Sequence, residues 1–424
     1  MCLNKGGVLK LKILFIHQNF PGQFRHLAPA LSRLGHEVHG LGITPQQLAG
    51  VTVHQYSPRR SSSPNVHPLA SEFETKVIRG EACMQALKTL AQAQAGQRHA
   101  FVPELIVAHP GWGESLYVKD LYPDVPLLGY LEFHYALRGA DVGFDPEFGA
   151  QPTPETSARL RSKNAHNWLA FEPMQAALCP THWQASMLPQ SIRDKTSVIF
   201  DGVDTQRACP NPRAEILLEE SGARFRAGEE IITFVNRNLE PYRGYHIFMR
   251  ALPSILKARP QARVLIVGGD QVSYGGKAPE GKTWKDIFFN EVKDQLDTSR
   301  VFFLGRVPNP VFIKLLQVSA CHVYLTYPFV LSWSCIESLA AGCAVVASGT
   351  EPVREVIRDQ DNGLLVDFFD VQGLASTVIE VLAQPARFQA MRERARADAV
   401  ARFDLASVCL PAQLRWLSSQ IKGL

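Results

Sequence analysis

The segment FVNRNLEPYRGYHIFMR, residues 234–250, places two arginines where a strand gives way to a helix. Arg237 follows an apolar run that is typical of a buried strand, and Arg243 with Gly244 precedes a helical pattern. Paired guanidinium groups beside a helix N-terminus suit a diphosphate, because both supply hydrogen-bond donors and positive charge. The alternative is that both arginines are exposed loop residues.

A second segment, YPFVLSWSCIESLAAGCAVVAS, predicts a helix over residues 332–341 that Gly342 ends. Backbone N–H groups of Ser332 and Trp333 would then be free to bind phosphate oxygens. Glu337 lies about one turn into the helix, where it could accept hydrogen bonds from ribose hydroxyls. A capping box formed by Ser334 and Glu337 explains the same pattern without any ligand.

Polar residues also follow predicted strands in the first half of the chain. The run PLLGYLEF (126–133) predicts a strand, and Glu132 and His134 would lie on one face of it, because they are two residues apart. His109 ends the neighbouring run ELIVAH and is a candidate for acceptor binding. For each of the three, a hydrogen-bonded structural role remains the alternative.

The opening strand carries a similar group. His17 and Asn19 follow LKILFIH, and Gly22 would allow a close backbone approach to a diphosphate. We take Asn19 as a second acceptor-binding candidate. A single glycine turn is a weak signal.

Two motifs are interpreted as chance matches. Residues 276–283, GKAPEGKT, satisfy the phosphate-loop pattern, yet such a loop must join a strand directly to its helix, and here other residues intervene. Residues 359–361, Asp-Gln-Asp, resemble a metal-binding pattern but belong to a polar turn. The sequence has no GxGxxG fingerprint, which argues against a nicotinamide enzyme.

The elements around these residues alternate between strand and helix twice along the chain, which predicts two parallel sheets, each covered by helices. Residues 205–228 are rich in Pro and Gly and are interpreted as the connection. We predict an α/β protein of two Rossmann-like, doubly wound domains facing across a cleft. The N-terminal domain spans residues 1–205, with 403–424 packing back on it, and the C-terminal domain spans 206–402.

Composition excludes several classes of protein. A net charge of +4 over 424 residues is too small for a nucleic-acid-binding surface, so no nucleic-acid partner is expected. The eight cysteines show no CxxC spacing, which favours a reducing compartment. Neither a signal peptide nor an apolar run of about 20 residues is visible. We therefore expect a cytoplasmic protein.

Together these motifs resemble the family 4 glycosyltransferases, which have the GT-B architecture and retain anomeric configuration. In that family an Arg and a Lys hold the donor pyrophosphate, and they match Arg237 and Arg243 here. The ribose-binding Glu matches Glu337 in IESLAAGCAVVAS, preceded by Leu331, Ser332 and Trp333, and FLGRV resembles the loop that contacts the base, with Gly305, Arg306 and Val307. SVIFDGVDT resembles the family's NGVD stretch, and HQNFPGQF resembles the opening of a bacterial subgroup.

Two positions depart from the family pattern. The first of its two glutamates, which seven residues separate from the second, is replaced by Phe329. The His that many members carry at the end of a strand of the N-terminal domain aligns with Glu132, and His134 lies two residues later.

The resemblance implies a hexosyltransferase that moves a sugar from a nucleotide-diphosphate sugar to an acceptor hydroxyl without a metal cofactor. The acceptor would be a glycan, a lipid-linked molecule or a small molecule, in bacterial surface polysaccharide or glycoconjugate synthesis. Peripheral contact with the inner membrane face is possible through Lys76, Arg79, Lys88 and Arg98 of the helix predicted over 71–98, although a solvated face explains them equally well. The alternatives are a nucleotide-sugar epimerase and a non-catalytic nucleotide-sugar-binding protein.

Overall fold

The computed structural model describes residues 10–92, 100–219 and 221–421, which fold into two compact units. The N-terminal unit draws on residues 1–138, 151–201 and 409–424, and the C-terminal unit on residues 139–150 and 202–408. Each unit is built around its own parallel sheet.

The N-terminal unit is a seven-stranded sheet with helices on both faces. Its strands are β1 (Lys12–Ile16), β2 (Glu37–Gly42), β3 (Thr52–Gln55), β4 (Leu105–Ala108), β5 (Leu127–Tyr130), β6 (Ala176–Cys179) and β7 (Thr196–Val198). Its helices are α1 (Leu27–Arg33), α2 (Ser71–Ala91), α3 (Val118–Leu121), α4 (Pro154–Phe171), α5 (His182–Ser186) and α6 (Gln190–Arg193). The strand order is β3-β2-β1-β4-β5-β6-β7, and every pairing is parallel. Apolar clusters cover both faces, which is why its inner strands are continuous apolar runs.

The C-terminal unit combines a parallel sheet of six strands with a separate sheet of two strands. Its strands are β8 (Glu215–Leu218), β9 (Ala223–Arg226), β10 (Ile231–Asn238), β11 (Arg263–Gly269), β12 (Val301–Phe303), β13 (Cys321–Tyr324), β14 (Ala344–Ser348) and β15 (Leu364–Val366). Its helices are α7 (Tyr245–Ala258), α8 (Trp284–Val292), α9 (Asn309–Val318), α10 (Trp333–Ala340), α11 (Glu351–Arg354), α12 (Val371–Ala383) and α13 (Gln389–Phe403). The order β12-β11-β10-β13-β14-β15 confirms the predicted pair of doubly wound α/β sheets.

The last helix, α14 (Leu410–Gln420), belongs to the N-terminal unit. Its Trp416 and Leu417 are buried in the apolar cluster on one face of that unit's sheet. The Gln413 amide also donates to the carbonyl of Phe200 at 3.0 Å.

The stretch interpreted as a linker contains regular structure. Strands β8 and β9 form an antiparallel hairpin within residues 205–228, closed by a turn that includes Gly222 at φ +67°. The hairpin packs on the C-terminal unit through Phe225, whose ring meets that of Phe302 edge-on with centroids 5.0 Å apart.

Residues 139–150 lie between β5 and α4 in sequence but pack within the C-terminal unit. Asp145, only 1% exposed, accepts hydrogen bonds from the Tyr327 hydroxyl at 2.5 Å and from His246 Nε2 at 3.2 Å. Arg250 holds Glu147 through two bonds of 2.7 and 2.8 Å. The prediction that residues 1–205 form one domain is therefore wrong for this segment.

Candidate active site

Glu132 is the centre of a polar cluster in the N-terminal unit. One carboxylate oxygen accepts from the Gln23 amide at 2.5 Å, and the other lies 3.3 Å from His109 Nε2. His17 Nε2 lies 2.8 Å from Gln23 Oε1. These hydrogen bonds therefore connect the ends of three strands through four side chains.

The hydrogen bonds fix the proton positions on both histidines. The backbone N–H of Gly111 donates to His109 Nδ1, and that of Asn19 donates to His17 Nδ1. Each ring therefore carries its proton on Nε2 in the neutral form, where it donates to Glu132 or to Gln23. Burial, and then the neighbouring His109, lowers the pKa of His17 to about 3, so His17 is neutral at physiological pH.

Glu132 itself is ionised at neutral pH. Its side chain is 28% exposed. Burial raises its pKa, but the hydrogen bonds from His109 and Gln23 outweigh burial and hold the pKa below its usual value. The cluster is thus a carboxylate held in place by the donors His109 and Gln23, and it can accept a hydrogen bond from an acceptor hydroxyl.

The cluster forms where the sheet topology requires it to form. His17 follows β1, His109 follows β4 and Glu132 follows β5, and these strands are neighbours in one parallel sheet. Their carboxyl ends therefore meet at one edge, which is the edge where such sheets bind ligands.

The expectation that Glu132 and His134 share one face of a strand is wrong. β5 ends at Tyr130, so the two residues lie in the following loop and period-two alternation does not apply. His134 instead packs edge-on against Trp168 with ring centroids 6.1 Å apart, and burial lowers its pKa.

Gly22 and Asn19 lie beside the cluster. Gly22 has φ +49°, and a Cβ atom there would lie 2.3 Å from His17 Nε2, so the glycine is needed for the close approach of this ring. Asn19 accepts from the Thr44 hydroxyl at 2.8 Å through its side chain. Gln23, which bridges His17 and Glu132, was missed because glutamine has no distinctive spacing pattern in the sequence.

In the C-terminal unit, Arg243 is a buried cation, with only 6% of its surface exposed. Its Nη1 donates to the Thr326 hydroxyl at 2.7 Å and to the Val330 carbonyl at 3.3 Å. The ring of Tyr274 lies 5.1 Å below the guanidinium carbon. Among the described residues, no carboxylate forms a direct ion pair with this guanidinium, and Glu240 attracts it without such a contact.

The backbone turn at Gly244 places Arg243 here. Residues Pro241–Arg243 form a 3-10 turn after β10, and Gly244 at φ +68° precedes α7. A Cβ atom on Gly244 would lie 2.3 Å from Leu325 Cβ, so only glycine lets this turn pack against the end of β13.

Glu240 organises the loop that covers Arg243. Its carboxylate accepts hydrogen bonds from the backbone N–H groups of Ser273, Tyr274 and Gly275, at 3.2 to 3.3 Å. Burial raises the pKa of Glu240 even though these bonds oppose the shift. Glu240 and Tyr274 could not be recognised from the sequence, because the loop that brings them together follows β11, far along the chain.

The predicted base-contacting loop lies at the ends of β10, β11 and β12. Arg306 Nη2 donates to Asn238 Oδ1 at 2.9 Å, and the Gly305 carbonyl accepts from Gly268 N–H at 2.9 Å. Gly305 has φ +61°, and Val307 is half-buried. Arg237 is exposed beside Asn238 on β10. The phosphate-loop match at 276–283 joins no strand to a helix, since β11 ends at Gly269 and α8 begins at Trp284.

The N-terminus of α10 differs from both interpretations of its sequence. Ser332 is the N-cap and accepts from Ser334 N–H at 3.2 Å, so the proposed capping box of Ser334 and Glu337 is wrong. The Ser332 N–H, expected to be free for phosphate, donates to the Tyr324 hydroxyl at 3.0 Å. Leu331 is buried, whereas Trp333 and Glu337 are half-buried.

Comparisons with known proteins agree with these two units. One sequence model, of the glycosyl transferase family 4 group, matches residues 34–208, and a second, of glycosyl transferases group 1, matches residues 219–398. The chain belongs to the family 4 glycosyltransferases.

Sequence identity to individual glycosyltransferases is low. A D-inositol 3-phosphate glycosyltransferase of Segniliparus rotundus is 26% identical over 202 residues, which are 46% of this chain and 41% of that relative, so the chain spans less than half of its length. Sucrose-phosphate synthase from Thermosynechococcus elongatus shares the fold with a TM-score of 0.71 at 18% identity, over 97% of this chain and 99% of that chain. Anabaena HepE, crystallised with UDP and glucose, has a TM-score of 0.64 at 18% identity, over 97% of this chain and 100% of that chain. The GT-B fold is thereby confirmed.

Phe329, which replaces the first glutamate of the family pattern, lies among other aromatic side chains. Phe329 packs against Tyr274 with centroids 4.9 Å apart and edge-on against Tyr242 at 5.3 Å. The guanidinium of Arg243 lies over the same Tyr274 ring.

The described part of the chain shows neither a metal-ligand cluster nor a membrane-spanning helix. It contains no group of three His, Cys, Asp or Glu side chains arranged to hold a metal ion. None of its helices combines the length and the apolar character needed to cross a membrane. Metal independence therefore stays a prediction.

Proposed function

We propose that this chain is a retaining, metal-independent glycosyltransferase that uses a nucleotide-diphosphate sugar as donor. The observation that carries the proposal is the buried guanidinium of Arg243, held by Thr326 and the Val330 carbonyl. A buried charge without a counter-ion is costly, and a bound anion would remove that cost. A diphosphate is the anion that a family 4 glycosyltransferase requires.

In this proposal Arg243 stabilises the charge that develops on the leaving diphosphate. The bond between the anomeric carbon and the diphosphate oxygen breaks, and its electron pair departs with the diphosphate. Arg237, exposed on the end of β10, supplies a second cation to the same group. Fixed donors aimed at developing charge need no reorganisation during the reaction, which is why such groups are effective without a metal.

Glu132 serves the acceptor. Its ionised carboxylate accepts a hydrogen bond from the acceptor hydroxyl and orients the oxygen toward the anomeric carbon, on the face that the diphosphate leaves. The hydroxyl proton passes to the departing phosphate oxygen. His109 and Gln23 hold the carboxylate in place through their hydrogen bonds.

The remaining donor contacts are assigned to the loop of Gly305, Arg306 and Val307 for the base and to Glu337 for the ribose. The HepE structure with UDP and glucose and the inositol-phosphate acceptor of the Segniliparus enzyme support a nucleotide-sugar donor and a hydroxyl acceptor. Synthesis of surface glycans at the inner membrane face is the physiological setting that we propose.

Thermal unfolding with UDP-, GDP-, ADP- and dTDP-sugars, in the presence of EDTA, tests the donor site. A ligand that binds only the folded state raises the unfolding temperature. We expect one nucleotide class to raise it, with the shift lost in Arg243→Ala and kept in Arg213→Ala, an exposed arginine of the same unit. No shift with any of the donors would contradict the proposal. Conversion of the donor without an acceptor would instead indicate an epimerase, and binding without transfer to any acceptor a non-catalytic protein.

A further inference from the structure

Two cations of α2, Lys76 and Arg79, point at the same sheet edge as the Glu132 cluster. Lys76 Nζ donates to the Gly111 carbonyl at 3.1 Å, and Arg79 Nη1 donates to Gln18 Oε1. Gln18 follows β1 next to His17, and Gly111 follows β4 next to the turn of His109. The two loops that build the Glu132 cluster therefore also anchor these cations.

Helix α2 is fixed in this position by close backbone packing. A Cβ atom on Gly113, which has φ +100°, would lie 2.4 Å from the Lys76 carbonyl oxygen. A Cβ atom on Gly80 would lie 2.8 Å from the Gly113 carbonyl oxygen. Both glycines are needed for the helix to lie this close to the loop, so the two cations are held in place relative to His109.

Neither cation is neutralised by a direct ion pair in the described part of the chain. Both side chains are half-buried and one helical turn apart, so they repel each other in a partly desolvated place. The bonds to Gln18 and Gly111 each use a single N–H, and the other N–H groups can donate to a ligand. A phosphate group fits this pair, because an arginine fork and a lysine ammonium together match its oxygens.

Glu114, the acid that attracts Lys76 most strongly, is a poor counter-ion. Glu114 is fully buried, accepts from the Tyr56 hydroxyl at 2.6 Å, and has one carboxylate oxygen without a hydrogen-bond partner. Burial raises the pKa of Glu114, which disfavours its ionised form. An added anion would therefore meet the field of the two cations with little competition.

We infer that Lys76 and Arg79 form a subsite for a phosphate group on the acceptor, beside the carboxylate that orients the acceptor hydroxyl. This inference rests on the proposed function and deepens it, because it names the acceptor class: a phosphorylated polyol, free or as a lipid headgroup. From the sequence, Lys76 and Arg79 were candidates for contact with anionic lipid, with a solvated helix face as the alternative. Their inward bonds assign them instead to the ligand edge of the sheet.

The charge of Lys76 gives the subsite a pH dependence. Burial, and then Arg79, lowers the pKa of Lys76 to about 8, and Glu114 on the β4 side opposes the shift. Glu72 on α2 and Lys163 on α4 also face it. His166 of α4 is neutral at pH 7, because burial and Lys76 lower its pKa to about 4. Phosphate binding should weaken as the pH rises above about 8.

Calorimetric titration with glycerol 3-phosphate at low ionic strength tests the subsite. We expect Lys76→Gln and Arg79→Gln each to weaken binding roughly tenfold, the loss typical of one charge-assisted hydrogen bond. Lys88→Gln, which changes an exposed lysine of the same helix, should leave the affinity unchanged. Equal affinity in all four proteins, equal loss in Lys88→Gln, no binding to wild type, or a loss seen only in Arg243→Ala would each overturn the inference.

Vesicles of phosphatidylcholine with phosphatidylglycerol distinguish the two sources of phosphate. Vesicle binding that Lys76→Gln removes identifies a lipid headgroup, and glycerol phosphate binding without vesicle binding identifies a soluble acceptor; both support the subsite. The nucleotide-sugar thermal shift, measured on the same variants, shows that they are folded. If wild type gives a phosphate site but no nucleotide-sugar shift, the proposed function fails and the phosphate site stands.

Discussion

Each of the two units contains one candidate catalytic charge, and the two charges are opposite in sign. Glu132 is a carboxylate fixed by two hydrogen-bond donors, Gln23 and His109. Arg243 is a guanidinium fixed by neutral acceptors, Thr326 and the Val330 carbonyl. Each charge is held at a fixed position, where it can act on a ligand. The difference suggests that the N-terminal unit serves a hydroxyl and the C-terminal unit a leaving anion.

The largest effect should come from Arg243→Ala. Removing one fixed donor from developing negative charge typically costs about 100- to 1,000-fold in rate, and we expect the upper end because this cation is buried. Initial rates of sugar transfer measure it, with Arg213→Ala as the control that should stay near wild type. A loss below about tenfold would mean that Arg243 only stabilises the fold.

A smaller effect is expected for Glu132→Gln. We expect roughly a 100-fold loss in transfer rate, because the acceptor hydroxyl loses the carboxylate that orients it, with donor affinity unchanged. His134→Asn should change the rate by less than about threefold, because its ring packs against Trp168. The opposite order of these two losses would show that His134, and not Glu132, acts on the acceptor.

The role of Gly22 in making room for the His17 ring can be tested by measuring the free energy of unfolding. Gly22→Ala places a methyl group against His17 at a positive φ, whereas Gly35→Ala meets no atom within 4 Å at φ +96°. Both substitutions incur the left-handed penalty of about 1 kcal/mol, and Gly22→Ala should cost roughly 1–2 kcal/mol more. Urea unfolding measures both free energies. Equal costs would mean that the His17 ring moves aside freely.

The smallest effect concerns pH. Because the folded-state pKa of Glu132 is lowered, its ionised form stabilises the folded protein above roughly pH 4.3, the ordinary glutamate value, and that stabilisation is lost as the pH falls through the folded pKa. The difference in unfolding free energy between wild type and Glu132→Gln should therefore shrink from pH 7 to pH 4. A difference that stays constant over this range would indicate a carboxyl that is not held as an anion.

Most of the fold could be predicted because long apolar runs bounded by turns specify buried parallel strands. Strands of three or four residues, such as β3 and β15, give too short a signal. Residues 139–150 could not be assigned from local pattern, because tertiary contacts of Asp145 with Tyr327 and His246 decide where they pack.

The candidate site could be predicted in part. Residues at the carboxyl ends of strands were found, including Glu132, His109 and Arg243. The neutral partners that fix their charges were missed, because Gln23, Thr326 and Glu240 are recognisable only once the strands lie side by side. The capping box failed for a related reason, since Ser332 rather than Ser334 begins the helix.

The most direct test of this account is transfer by the wild-type protein in EDTA, with the product followed by proton NMR. We expect an undiminished rate without metal and a product whose anomeric configuration equals that of the donor. A product of inverted configuration, or a reaction that stops in EDTA and resumes with a divalent cation, would contradict the central claim that fixed charges of the chain, Arg243 above all, carry the leaving diphosphate.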